Sequence, residues 1–420
     1  MKFLLLTIAS LLLASPGIFA QGKLSAPDLI AMAKNSPQSP AFRESLVNTL
    51  GAKAISEGTA ALGEGTDFIW AVRNARHPQL LIDDNIGPKM LRLEGTDIWY
   101  ATGTMDTGRS HAFAYKVNGS VFGGKNDIPV FGPDSYTHAG VPQGKLSEKL
   151  THVSKIYDGM TTEYWIYVPA QYNAATPAAL MVWQDGAGHT QRDAGSRTLN
   201  VLDNLTHQGK IPVMISVMIN PGTKGNQRLR SVQYDSVNDV YARFLRDELL
   251  PEVYKKYNIR KDGYSRAITG SSSGGICAFN AAWFQNDQWT RVWTRVGSFT
   301  SIQWKPGVLD GGNVYPNMVR KQAKHNIRIW MSDGSEDLEN DHGSWPLQNI
   351  QLANSLKMKE YDFHLNFGGG SHNGAMGNSE MPDALKWIWR GYDPKKTEET
   401  FQMEESEKLK PYFRVKIYNR

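Results

Sequence analysis

Arg266-Ala267-Ile268-Thr269 runs into Gly270-Ser271-Ser272-Ser273-Gly274-Gly275, and Ile276-Cys277-Ala278-Phe279-Asn280-Ala281-Ala282 follows. A short apolar stretch, a run of the smallest residues and a second, longer apolar stretch read as strand, tight turn and helix. Within the turn the spacing is G-x-S-x-G. That spacing suits a serine held where a strand and a helix nearly collide, because its flanking positions must be small and its hydroxyl is left in the open. The N–H of Ser273 faces the same space, and the helix N-terminus behind it favours developing negative charge. A Gly/Ser-rich loop has the same composition, but the strand and helix on either side separate the two readings. No Lys follows the glycines, as a phosphate-binding loop requires, and G-x-G-x-x-G is absent. Ser272 is the candidate nucleophile.

Outward from this turn, the rhythm is that of a parallel sheet. Ala179–Trp183, Val213–Met218, Ile327–Met331 and Phe363–Phe367 are nearly continuous apolar runs, and Glu163–Val168 reads as a further strand. Amphipathic segments lie between them; in one, Tyr241, Phe244, Leu245 and Leu249 fall at i, i+3, i+4 and i+8. Apolar strands alternating with helices imply an α/β unit with helices on both faces of the sheet.

A serine hydroxyl needs a general base, usually His, oriented by a carboxylate. On such a sheet the expected chain order is Ser, acid, His. His342, His364 and His372 lie well downstream of Ser272 near strand ends. His364 is inside a strand and reads as a partly buried strand residue. His372 lies in Gly368-Gly369-Gly370-Ser371-His372-Asn373-Gly374, just past the strand, and is the candidate base. The preceding strand ends in Ser332-Asp333-Gly334-Ser335-Glu336-Asp337. Asp333 beside Gly334 reads as a turn former. Asp337 is the first choice for the acid and Glu336 the second. Asp341-His342 has no second ligand pair at metal spacing.

The other oxyanion donor is expected in the loop after an early strand, and Gln184-Asp185-Gly186-Ala187-Gly188-His189 follows Ala179–Trp183. Gly186 and Ala187, with Ser273, are the candidate backbone donors. Asp185, Arg230, Tyr234, Glu336 and His342 are candidate pocket residues, as are Arg228 and Asp235, although a helix-capping loop explains the cluster 228–235 as well. Trp70, Trp183, Trp387 and Trp389 sit in patterns that read as core.

Toward the N-terminus, Lys2 precedes the apolar stretch Phe3–Leu13 and a small-residue stretch ending at Ala20. This is the pattern of an export signal, residues 1–20, cleaved after Ala20 and leaving a periplasmic or secreted chain. Residues 21–64 hold helix-like stretches at Pro27–Lys34 and Ala41–Leu50. Short strands at 68–72, 79–82, 89–93, 98–101 and 112–117, separated by turn formers, suggest a β-sandwich over 65–144, with 132–144 as its linker. The α/β unit then covers 145–392, and a charged surface extension, 393–420, follows, with Tyr412–Lys416 expected to add an edge strand. Of the 420 residues, 40% are hydrophobic and 21% charged, a globular composition. A net charge of +5 without a sustained Lys/Arg run argues against nucleic acid. No internal apolar run reaches the roughly 20 residues of a membrane span. The single Cys277 reads as a buried apolar filler.

Taken together, Ile98-Trp99-Tyr100, Gln184-Asp185-Gly186, Gly270–Gly275, Gly334-Ser335-Glu336-Asp337 and Gly370-Ser371-His372-Asn373-Gly374 resemble the enterochelin-esterase-like proteins and carbohydrate esterase family one, over residues 65–392. The resemblance implies an immunoglobulin-like domain beside an α/β-hydrolase, with no metal or cofactor. It implies Ser272, Asp337 and His372 as a triad and an oxyanion donor near Gly186–Ala187. The expected function is that of an exported serine esterase acting on acyl, feruloyl or acetyl esters of carbohydrates. A siderophore trilactone esterase, an acyltransferase on the same site and an inert carbohydrate-binding protein are the alternatives.

Overall fold

The computed structural model of the protein describes residues 23–415, so the export segment 1–20 lies outside the described residues. Three helices come first, α1 (Ala26–Asn35), α2 (Pro40–Leu50) and α3 (Ala52–Glu57). Ser25 and Ser39 cap the first two, their hydroxyls accepting the N–H groups of Asp28 and Phe42, with a proline in each first turn. Eight strands follow: β1 (Ala60–Glu64), β2 (Asp67–Arg73), β3 (Gln79–Ile82), β4 (Asn85–Ile86), β5 (Leu91–Arg92), β6 (Ile98–Thr104), β7 (Arg109–Val117) and β8 (Ser120–Val130). They make two four-stranded antiparallel sheets, ordered β1-β2-β6-β5 and β4-β3-β7-β8.

The strand β2 explains the layering. Phe68, Trp70 and Val72 share a core with Phe113, Tyr115 and Val130 of the facing sheet, while Ile69 and Ala71 pack against Leu29, Phe42 and Leu46 of the helices. Alternate side chains thus meet two different apolar surfaces, and the strand is buried on both faces. The N-terminal helices are a third layer of this unit rather than a separate segment. A boundary at 64/65 would cut off β1, which pairs with β2 along its length. The expected strand 89–93 pairs only at Leu91–Arg92, because Met90 and Leu93 turn into the two cores. The expected linker 132–144 is tied down: Asn204 Nδ2 donates to the carbonyls of Asp134 and Tyr136, and Gly144 N–H to Asp203 Oδ1.

The larger sheet contains β9 (Lys145–Leu146), β10 (Leu150–Ser154), β11 (Met160–Val168) and β12 (Ala179–Gln184). The helix α4 (Thr198–His207) leads to β13 (Met214–Ile219) and the small hairpin β14 (Thr223–Lys224) and β15 (Gln227–Arg228). Next come α5 (Arg230–Tyr234), α6 (Val240–Phe244) and α7 (Leu250–Tyr254), the last two joined by a wider turn at Leu245–Leu249 where Pro251 supplies no N–H to the helix ladder. The chain then runs through β16 (Arg266–Ser271), α8 (Ser273–Phe284), β17 (Arg291–Arg295), α9 (Tyr315–Lys321) and β18 (Arg328–Glu336). The hairpin β19 (Glu339–Asn340) and β20 (Gly343–Ser344), α10 (Trp345–Met358), β21 (Asp362–Ser371), α11 (Ala375–Ile388) and α12 (Glu405–Leu409) complete it.

β13, β12, β16, β17, β18 and β21 lie side by side and parallel, with β11 antiparallel at one side. One face packs on α6 to α10, the other on α4 and α11. Trp183 and Trp389 are buried in the second core, as is Trp70 in the sandwich. Among the described residues, no helix is long and apolar enough to cross a membrane.

The segment after 392 is not simply a surface extension. Phe401 and Met403 are buried, and the guanidinium groups of Arg291 and Arg328 lie 4.9 and 4.3 Å from the Phe401 ring centre. Two buried arginines need a partner that keeps water out without stripping their charge, and an aromatic face provides it. No strand forms over 411–415; instead Phe413 exchanges backbone hydrogen bonds with the Asn354 side chain, and Lys416 lies outside the described residues.

Candidate active site

Strand β16 and helix α8 meet at Ser272, whose φ of 59° and ψ of −123° are those of the first central residue of a type II′ turn, a positive-φ position where glycine is usual and other residues are rare. The sharpness of the turn explains its glycines. A Cβ at Gly270 would stand 2.3 Å from the Gly274 carbonyl oxygen, so strand and helix could not close on one another with anything larger. Ser272 N–H donates to Arg295 O at 2.9 Å and its carbonyl accepts from Ser298 N–H at 3.1 Å, pinning the turn to the end of β17. Ser273 begins α8.

His372, just past β21, places Nε2 2.7 Å from Ser272 Oγ, and its Nδ1 is 2.5 Å from Asp337 Oδ1. A carboxylate oxygen can only accept here, so Nδ1 carries the proton and Nε2 is free to accept from Ser272. The Asp337 carboxyl is pushed up by burial, but hydrogen bonds from His372, Asp333 and the Leu338 N–H outweigh burial and hold it below its ordinary value. The adjacent Asp333 behaves in the opposite way. Burial, and then the hydrogen bond and charge of Asp337, raise its carboxyl well above the ordinary range, against the pull of the Gly334 N–H and Asn349. Two buried carboxyls in contact cannot both ionise, and the one bonded to His372 keeps the charge.

A further hydroxyl touches Ser272 Oγ. Trp345 Nε1–H donates to Ser298 Oγ at 3.2 Å, and Ser298 Oγ is 3.2 Å from Ser272 Oγ. Because the Ser272 proton goes to His372, the Ser298 hydroxyl is the donor between the two serines. Ser298 and Trp345 carry no local motif, and only the fold brings them here. The Trp345 ring also stands edge-on to His372, 5.5 Å between centres.

Beyond the triad geometry, the loop after β12 approaches the same turn. Gly186 is pressed against β13, where a Cβ would meet Met218 backbone at 2.2 Å. Among the described residues neither Gly186 N–H nor Ser273 N–H meets an acceptor within the chain. Ala187 differs from the expectation: its N–H is taken by Asn220 Oδ1 at 2.9 Å, which leaves Gly186 as the donor from this loop. Asp185 is neutralised by Arg230, whose Nε and Nη2 reach its two oxygens at 2.8 and 2.7 Å while Nη2 also reaches Ser271 O at 3.3 Å. Tyr234 is buried beneath the Arg230 guanidinium. The buried Asp235 is pushed up to about 6 by burial, against the hydroxyls of Ser231 and Ser273.

Glu336 and His342 stand apart from this group. Glu336 faces a cavity of about 580 Å³ between the sandwich and the larger unit, together with Asp83, Asp84 and Arg109. The His342 ring lies 3.9 Å from Asp341 and is turned outward, while its carbonyl accepts from Ser301 N–H and Oγ–H at 2.9 and 2.8 Å. Arg228 lines a second cavity, about 630 Å³, beside the 185–188 loop with Thr161, Glu163, Asn220 and Thr223.

A family model described as "Putative esterase" matches residues 159–387. The structure is similar to the enterobactin esterase of Shigella flexneri, with a TM-score of 0.52 at 16% identity, covering 84% of this chain and 99% of that one. It is similar to the ferric enterobactin esterase of Salmonella typhimurium, with a TM-score of 0.51 at 15% identity, covering 80% and 97%. A ferulic acid esterase from Anaeromyces mucronatus gives a TM-score of 0.47 at 15% identity over 61% and 96% of the two chains.

Proposed function

Because the chain belongs to the esterase family matched over residues 159–387, we propose that it is an exported serine carboxylic-ester hydrolase working through a covalent acyl-enzyme. The observation that carries this reading is the unbroken line of contacts from Asp337 through His372 to Ser272 Oγ. As Ser272 Oγ bonds the ester carbonyl carbon, its proton passes to His372 Nε2, and Asp337 stabilises the imidazolium and fixes its orientation. The carbonyl oxygen, now an oxyanion, is received by the N–H groups of Ser273 and Gly186. Collapse breaks the C–O bond, and the proton on His372 goes to the leaving alkoxide. Water then attacks the acyl-Ser272 carbonyl, gives its proton to His372, and release of the acid returns that proton to Ser272.

For substrate, we favour acyl esters of carbohydrates. The cavity beside the 185–188 loop is lined by hydroxyl, amide, carboxylate and guanidinium groups, which suit a hydroxyl-rich alcohol. A siderophore trilactone is the second reading, favoured by a fold shared with enterobactin esterase over 84% of this chain. The reading of residues 60–130 as immunoglobulin-like rests on their strand order: β1-β2-β6-β5 follows the path A-B-E-D and β3-β7-β8 the path C-F-G, with β4 as one added edge strand. Export rests on Lys2, Phe3–Leu13 and Ala20. N-terminal sequencing of the protein recovered outside the cytoplasm should begin at Gln21.

The direct test is hydrolysis of short p-nitrophenyl esters by the wild type and Ser272→Ala, with fluorophosphonate labelling of both. The variant should lose on the order of 10⁴-fold or more in kcat/KM and all labelling. Hydrolysis that survives the substitution would mean another nucleophile. Addition of a sugar acceptor, with products separated, distinguishes transfer from hydrolysis.

A further inference from the structure

One contact joins the small sandwich to the loop that carries the base. Asp127, on β8, accepts the Ser371 N–H at 2.9 Å through Oδ1 and the Ser371 hydroxyl through Oδ2, across 244 positions of sequence. Ser371 is the last residue of β21, and His372 follows it.

The local structure of β8 is bent to make this contact. Opposite β7, Ile128 pairs with His111 and Lys125 with Phe113, so β8 carries one residue too many between the two pairs. A bulge of this kind re-aims a side chain out of the alternation of its strand. Asp127 lies in it with φ of 56°, in the left-handed region. Glycine, asparagine and aspartate adopt that conformation more readily than other residues, so the bulge can carry the carboxylate that the contact uses. The Ser371 hydroxyl, oriented toward Asp127, also accepts from Asn373 Nδ2 at 3.2 Å, which spans His372 from one side to the other. The loop either side of the imidazole is thereby referred to a carboxylate on the other domain.

We propose that Asp127 is a positioning residue for catalysis: through Ser371 it holds His372 in register with Ser272, so the sandwich acts on the chemical step. The inference rests on the reading of Ser272 and His372 given above. A misplacement of the base by about 1 Å can cost about 100-fold in rate.

The test uses p-nitrophenyl acetate, whose acyl and leaving groups are too small for a lost sandwich–substrate contact to explain a change. Full-length Asp127→Ala should lose about 10- to 100-fold in kcat with KM nearly unchanged, measured below its melting temperature. Asp127→Asn should recover most of that loss, since its Oδ1 still accepts the Ser371 N–H and its amide can donate to the hydroxyl. Ser371→Ala, which keeps the N–H bond and removes the other, should lie between them and serves if Asp127→Ala does not fold. The rate of fluorophosphonate labelling should fall in the same order. Wild-type kcat in folded Asp127→Ala, or in Ser371→Ala where the first is unfolded, would overturn the proposal, as would a loss in KM alone. An inactive, unlabelled wild type would instead remove the reading of the site itself.

Discussion

The sandwich and the α/β unit bury their strands in different ways, and the difference decides both what each tolerates and how much of each could be read. In the α/β unit, β12, β13 and β17 are buried along their whole length, covered by helices on both faces. In the sandwich β2 comes nearest to this, its interior residues buried between the helices and the facing sheet, whereas β8 buries only Ile128 and Val130. Chemistry follows the same division. The larger unit holds Ser272, Asp337 and His372, the proposed nucleophile, acid and base, just past the ends of β16, β18 and β21, whereas the sandwich meets that group through Asp127.

That contrast can be broken from either side. Asp337→Asn leaves the packing of both units in place but presents an amide to His372, which favours the wrong tautomer. Hydrolysis of p-nitrophenyl esters by the folded variant should fall about 10³- to 10⁴-fold, and a small effect would shift the acid's role to another carboxyl. In the sandwich the corresponding injury is to stability. Trp70→Ala empties a site shared with Phe68 and Met90 and should cost about 3–5 kcal/mol, lowering a thermal transition while leaving kcat near wild type in the protein that remains folded.

Smaller changes sharpen the comparison within the active region. Ser298→Ala removes one hydrogen bond to the nucleophile and should reduce kcat about 5-fold, the factor that about 1 kcal/mol represents, and steady-state kinetics will show whether KM moves instead. Asp333→Asn acts through pH. Asp333 holds its proton in the folded chain well above the ordinary value of 3.8. The folded state therefore binds the extra proton, its benefit is complete below the unfolded pKa, and stability is lost as pH rises through the raised folded value. An asparagine has no proton to lose. The melting temperature of the variant relative to wild type should rise between about pH 5 and about pH 9, by about 2 °C or more, and a flat difference would show that Asp333 is ionised.

Legibility followed burial. Most of the parallel strands appear in sequence as apolar runs because each side chain, whichever way it points, meets a helix; Ala179–Trp183 and Val213–Met218 mark β12 and β13 to within a residue. The equally buried β17 is not legible, because Arg291, Thr294 and Arg295 break its apolar run. Ser272 was legible because the turn that exposes it admits only small neighbours. By contrast β1 and β8 were missed. The first is five residues with a glycine, and the second carries Gly123, Gly124 and Pro129 and has little to bury. The buried Phe401 and Met403 stand alone in a charged tail, so no periodicity marked them. Ala187 has the sequence context of an oxyanion donor, but Asn220, 33 residues away, takes its N–H. Asp333 looked like a turn former because its partner, Asp337, is also a carboxylate, and sequence does not say where a shared proton resides. Asp127 and Ser298 could not have been found, since each gains its role from a residue distant in the chain.

The separation of Asp127 from Ser371 has a consequence in time. A contact that closes a loop of 244 residues forms after the local contacts on either side of it, because chain entropy must be lost before the bond can form. On dilution from denaturant, the burial of Trp70 and Trp183, each inside its own core, should report first, and ester hydrolysis should return as a later phase. The chain would thus spend part of its refolding as two finished bodies, with Ser272 already on its turn and His372 not yet held beside it.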